Sequence, residues 1–156
     1  MTQAPPDQAR PDGLRRAARF LWLWAPLVAY MGVIFALSST PRPLEMLQRF
    51  VPSDKAAHLG EYAVLGLLMS RALFAAGLTS PTATSIGLGS LYGITDEFHQ
   101  HFVPGRTMDV FDWLADVLGM AVGAIVWRQC WALRSRRAKR GPSESRRRGG
   151  RDTRLR

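Results

Sequence analysis

Four apolar stretches alternate with short polar segments along the chain. Residues 20–38, FLWLWAPLVAYMGVIFALS, run nineteen positions without a charge, about the length that crosses a bilayer core. Pro26 falls near the start of this run, where a helix tolerates proline best. Trp22 and Trp24 suit the interfacial belt. Residues 56–76 are apolar except for His58, Glu61 and Arg71. Asp54, His58, Glu61 and Leu65 recur at i, i+4, i+7 and i+11, so the polar groups share one helical face near one end. After the turn signal GLTSPT, residues 83–95 continue small and uncharged and run into Asp96-Glu97, and Gly89-xxx-Gly93 gives a neighbouring helix room to approach. Val103-Pro104-Gly105 reads as a reversal. In residues 109–132, Asp109, Asp112, Asp116, Gly119 and Gly123 step by 3, 4, 3, 4, one stripe that is acidic first and glycine deeper in. The other faces are apolar, as in a buried or membrane helix. The pattern predicts an all-α, polytopic membrane protein, a bundle of four transmembrane helices over about 20–38, 56–76, 78–98 and 109–132. A secretory signal is the competing reading of the first run, with Arg15, Arg16 and Arg19 as its basic region and Ala36-Leu37-Ser38 as its cleavage site. The length of the run and the apolar segments that follow weigh against it.

Outside the 20–132 body the pattern changes. Residues 1–19 are polar and Pro-rich at their start and read as a disordered N-terminal segment. Residues 133–156 lack apolar periodicity and read as a disordered basic tail. Between the first two runs, Leu44, Leu47 and Val51 fall at i, i+3 and i+7. This spacing fits a short amphipathic helix on the membrane surface, with a plain loop as the alternative.

Charge refines the picture. The formal net charge is +9, yet residues 20–131 carry six basic and eight acidic side chains, so the excess belongs to the ends. With both termini cytoplasmic, seventeen Lys/Arg lie inside and four (Arg42, Arg49, Lys55, Arg106) outside, the asymmetry expected of a membrane protein. An even number of spans then brings the Asp54–Glu61 face, the Asp96–His101 block and the Asp109–Asp116 stripe to one extracytoplasmic end. The Arg-rich tail could neutralise nucleic-acid phosphates. Anionic lipid head groups fit better, at about 1 kcal/mol per basic residue near the surface, so the expected partners are membrane lipids and no nucleic acid. The single cysteine, Cys130, excludes a disulfide framework or a cysteine-rich metal site within one chain.

Carboxylates in a spanning segment cost about 2.5–3.5 kcal/mol each at the bilayer centre, so the polar cluster needs a reason. One reason is interhelical glue. Another is chemistry: Asp96, Glu97, His58 and Glu61 as acid/base groups at a lipid-facing cleft, with Arg106 holding an anionic head group. Arg106 could also pair with Asp109, Asp112 or Glu97, and Lys55 is a second counter-charge. No nucleophile stands out among Ser38, Ser39 and Thr107. The pairs His58-xx-Glu61 and Asp96-xx-His99 have the spacing of helical metal ligands, although no metal site is assigned from them and the cofactor stays unknown. A proton or cation path along the acidic stripe is the weakest reading, because the stripe turns to glycine beyond Asp116. His99 and His101 cannot share a helical face, so one of them is a surface or packing histidine.

The segments DKAAHLGEYAVLGLL (54–68) and DEFHQHFVPGRTMDVFDWLADVLGMAVG (96–123) resemble the VanZ-like family of small bacterial membrane proteins. FALSSTPRP (35–43) resembles the end of that family's first helix. Matched position by position, the resemblance points to Asp54, Lys55, His58, Glu61, Asp96, Glu97, Gln100, Pro104, Gly105, Arg106, Asp112 and Gly119. Of these, Arg106, Lys55, Asp54, Gln100 and Asp112 read as substrate-binding. Asp116 departs from the pattern, standing where the family often has Asn. The family takes its name from a protein associated with resistance to teicoplanin, a lipidated glycopeptide that acts on cell-wall precursors. The resemblance implies a polytopic inner-membrane protein with a role in envelope or glycopeptide response; the working expectation is that it recognises or modifies an anionic lipid-linked envelope component, with a non-enzymatic membrane scaffold as the alternative. The resemblance does not carry resistance over to this chain.

Overall fold

A computed structural model describes residues 9–41 and 53–140. Among the described residues the chain forms four helices: α1 (Ala9–Ser38), α2 (Asp54–Ala75), α3 (Pro81–Gln100) and α4 (Val110–Arg140). Among the described residues there is no strand. The amphipathic segment read at residues 44–51 lies outside the described residues, as do residues 1–8 and 141–156 of the two ends.

The local sequence explains the helix ends. Ser53 caps α2, accepting from the Ala56 N–H at 3.2 Å. Pro81 opens α3 with its φ already helical and no N–H to satisfy. Asp109 precedes α4, and its Oδ1 accepts from the Phe111 N–H at 2.8 Å. Gly77 and Gly105 take positive φ (76° and 81°) at the two reversals, which side-chain-bearing residues rarely adopt.

Two helices are longer than the apolar runs predict. The expected disorder does not hold for Ala9–Arg19 or Leu133–Arg140, which are helical. Once an apolar run is helical, each added residue gains a hydrogen bond without a new nucleus, and the Arg, Ala and Leu of both extensions are strong helix formers. Pro26 consequently stands deep inside α1 rather than near its start. It has no N–H for the Trp22 carbonyl. Arg71 of α2 fills that position, with Nη2 donating to Trp22 O at 3.0 Å and the guanidinium 5.5 Å from the Trp22 ring centre.

Cross-chain pairs set the topology. Trp22 meets Arg71, Ser39 meets His99, His58 meets Asp116 and Phe74 meets Trp131. So α1 and α3 run one way, while α2 and α4 run the other. The parallel pair α2 and α4 makes the most extensive interface. Glycine permits it: Gly119 and Gly123 rest on the α2 backbone between Leu59 and Leu67, and Gly66 rests on the Met120 backbone. Gly89 and Gly93 of α3 also face α4, against Met120 and Asp116. The core joins Leu27 and Ile34 of α1 to Tyr62, Leu65, Met69, Ala72 and Leu73 of α2 and Met120 of α4.

Among the described residues, two helices are long and apolar enough to cross a membrane, Gly13–Ser38 and Val110–Ala138. Only 11% and 33% of their apolar windows are buried, so neither is hidden inside the fold. Large apolar side chains also face outward on α3, including Leu88, Leu91, Ile94 and Phe98. An apolar exterior this extensive is unusual for a water-soluble monomer.

Candidate functional site: a buried polar cluster at one end of the bundle

The start of α2, the end of α3 and the start of α4 meet at one end. His58, Asp96, Glu97, Gln100 and Asp116 are all buried there. The deepest contact joins α2 to α4: His58 Nδ1 lies 2.9 Å from Asp116 Oδ1. Gly93 makes room for it, since a Cβ there would stand 3.1 Å from Asp116 Oδ2. Trp113 braces the same wall, donating from Nε1 to the Ser90 carbonyl at 3.1 Å.

A second chain of contacts runs from α3 into the following turn. Gln100 Nε2 donates to Asp96 Oδ2 at 3.1 Å, and Arg106 Nη1 donates to Gln100 Oε1 at 2.8 Å. Arg106 Nη2 reaches the Leu37 carbonyl at the end of α1, at a long 3.5 Å. Glu97 Oε2 accepts from the Asp109 N–H at 2.9 Å and so holds the start of α4. Three carboxylate oxygens in this cluster are buried without a hydrogen-bond partner: Asp96 Oδ1, Glu97 Oε1 and Asp116 Oδ2. Such orphans are few in folded proteins and mark strain, an unplaced water or a ligand.

At the surface Lys55 Nζ bonds both Asp109 Oδ2 and Asp112 Oδ1 at 2.8 Å. Of the two counter-charges read in the sequence, Lys55 and not Arg106 takes Asp109 and Asp112. Lys55, at the start of α2, lies beside the start of α4, whereas the turn carries Arg106 toward Gln100 and α1. The Lys55 ammonium and the Phe111 N–H hold the Asp109 carboxyl below its ordinary value of 3.8. A depressed carboxyl stabilises the fold above its unfolded pKa, and that contribution is lost as pH falls through the folded value. Between pH 5 and 3 the melting temperature of the parent should therefore fall more steeply than that of Lys55→Met. Parallel acid limbs would show that the clasp adds nothing.

The remaining sequence-derived candidates divide. Glu61 is half-buried and lies close enough to His58, Asp96, Asp116 and Arg106 to feel their charges. Asp54 stands exposed in the first turn of α2 and does not join the cluster. The i, i+3 pairs do not close as ligand pairs: His58 turns to Asp116, and His99 turns away from Asp96 to α1, with Nε2 2.9 Å from Ser39 Oγ and its ring stacked on Phe35. His101 is the exposed histidine, edge-on to Phe102. Asp116 is the residue that sequence reasoning passed over as a site candidate. Its signal is the four-residue step from Asp112 on the stripe that also carries Gly119.

No curated protein and no solved structure matches the chain. The sequence profile of the VanZ/LLP1 family matches residues 21–133, a span that contains every residue of the cluster. With the paired DKAAH and DEFHQHFVPGR segments meeting at one end of an all-α bundle, the chain belongs to the VanZ/LLP1 family.

Proposed function

We propose that this chain is a multi-pass protein of the bacterial cytoplasmic membrane, with four spans and both termini in the cytoplasm. Its polar cluster lies at the extracytoplasmic end and recognises or modifies an anionic lipid-linked component of the cell envelope. A link to envelope or glycopeptide response belongs to the same reading. The observation that carries it is the convergence of three helices on buried carboxylates that each keep an unpartnered oxygen. Buried orphans of this kind are few in folded proteins, and three of them here share one cluster. The outward apolar side chains of α3 and the asymmetry of basic residues support four spans and this orientation.

In this reading Arg106 is the anion clamp. Its Nε has no partner and its contact to Leu37 is long, so a phosphate or carboxylate can displace that carbonyl with a stronger, charge-assisted pair. Asp96 and Glu97 act as acid and base, with His58 and Glu61 beside them. Gln100 holds Arg106 against Asp96 from within, Lys55 and Asp112 form the rim, and the exposed Asp54 lies beyond it. The basic tail binds anionic head groups on the opposite side.

A scaffold without activity is the second reading. It is favoured by the ties from Lys55 and His58 of α2 to Asp109, Asp112 and Asp116 of the α4 segment, which hold helices together with or without a ligand. Native mass spectrometry of protein extracted in lipid discs separates the two. The parent is expected to retain an anionic lipid adduct that Arg106→Gln loses while keeping its melting temperature within a few degrees. Identical adducts in both would leave the scaffold.

A further inference from the structure

We propose that His58, Glu97 and Asp116 form a binding site for a divalent transition-metal ion. One ligand comes from each of α2, α3 and α4. A ligand atom from each of the three lies within 4.8 Å of the others, and all three residues are buried. Ligand atoms at zinc-like bond lengths of about 2.0–2.2 Å stand roughly 3–4.4 Å apart. His58 Nδ1 and Asp116 Oδ1, at 2.9 Å, are already at the close end of that range, and small side-chain rotations close the rest.

The unpartnered oxygens are the independent observation. Glu97 uses Oε2 to accept from the Asp109 N–H and leaves Oε1 without a partner. Asp116 uses Oδ1 toward His58 and leaves Oδ2 without one. Glu97 is 2% exposed and Asp116 0%, so water reaches neither oxygen from bulk. At Glu97, one oxygen anchored from outside the ligand set and one free is the arrangement by which outer contacts orient a ligating carboxylate; at Asp116 the ion would replace the contact to His58.

Among the described residues, no Lys or Arg side chain bonds Glu97 or Asp116. Lys55 bonds Asp109 and Asp112, and Arg106 bonds Gln100 and the Leu37 carbonyl. Metal binding displaces the proton from His58, and the two carboxylates with the neutral imidazole then carry a charge of −2, which a divalent ion cancels. Breaking or omitting such compensation in a buried site is strongly destabilising. The imidazole favours zinc, iron(II) or manganese(II) over calcium or magnesium, which prefer all-oxygen shells. Helical supports hold the three donors more rigidly than loops would.

The inference goes beyond the envelope reading, and the two fail separately, because metal content and lipid adducts are different measurements. The test uses the full chain, purified in detergent without chelators and assayed for metals by mass spectrometry. It is then stripped and titrated with Zn²⁺, Mn²⁺ or anaerobic Fe²⁺ while thermal melting is followed. The expected result is about one equivalent of one of these metals, a melting temperature that rises by several degrees when it is restored, and affinity weakened about a hundredfold or more by Glu97→Gln. Cobalt(II) added to the stripped parent, which needs no variant to fold, should give a visible absorption band of a site with nitrogen and oxygen donors. Metal far below one equivalent together with melting curves that no ion shifts would overturn the proposal. So would a Glu97→Gln variant that binds as tightly as the parent.

Discussion

Gly123→Ala should destabilise the bundle by about 3 kcal/mol or more, at or above the upper end for overpacked cores. A methyl at this position overlaps the Ala63 carbonyl oxygen and stands 2.7 Å from the Leu67 nitrogen. Both obstacles are backbone, so no rotamer change relieves them. The only relief is to separate α2 from α4, which opens the most extensive interface in the fold. Gly66→Ala should behave alike, because its Cβ would meet the Met120 backbone. Gly89→Ala should cost less, since it meets only the flexible Met120 side chain. Gly87, with nothing within 4 Å of a built Cβ, should gain slightly from Ala through helix propensity, by about 0.8–1.0 kcal/mol. Melting temperatures in detergent should therefore rank Gly123→Ala and Gly66→Ala lowest, then Gly89→Ala, then the parent, with Gly87→Ala on top. A Gly123→Ala variant that melts with the parent would refute the close α2–α4 contact.

His58→Ala carries the second large effect, an expected loss of about 3–5 kcal/mol. Asp116 is fully buried and His58 is its one partner among the described residues. Removing the imidazole leaves a carboxylate facing Gly93 and the apolar wall of Trp113. The double substitution His58→Leu with Asp116→Leu should recover most of the loss, because apolar side chains of similar volume often replace a buried pair without penalty. Measured in chelator, the four-variant cycle isolates the pair from any bound ion. Additive single effects would show that the two side chains do not interact. A His58→Ala variant as stable as the parent would mean that the pair is strained in the service of a ligand rather than a source of stability.

Much of the fold is legible in the apolar periodicity. It places the end of α1 at Ser38 and the ends of α2 and α3 within three residues of where they stand. It cannot see the two helical extensions, because Arg and Ala are compatible with helix or disorder until an adjacent helix removes the cost of nucleation. The acidic–glycine stripe is legible as a face, and Gly119 and Gly123 lie on it as α4 packs against α2. The partners across that face are not legible. Which basic residue meets Asp109 and Asp112 depends on how a nine-residue connection between α3 and α4 is folded, and only the structure shows Lys55 there instead of Arg106. Asp116 reads in the sequence as an extra charge in an unusual place. Its importance comes from the 2.9 Å approach of His58, fifty-eight residues earlier in the chain.

That the closest helix pair is α2 with α4, with the whole of α3 between them in sequence, has a consequence for biosynthesis. A ribosome delivers His58, Asp96 and Glu97 well before Asp116. Until α4 is made, the surface of α2 that it covers has no occupant and His58 has no Asp116 to pair with. The polar half of the cluster must wait, half-built. Completion of α4 and completion of the site are therefore one event, and a chain stopped before α4 would present proteases with an unclosed seam and uncompensated charge.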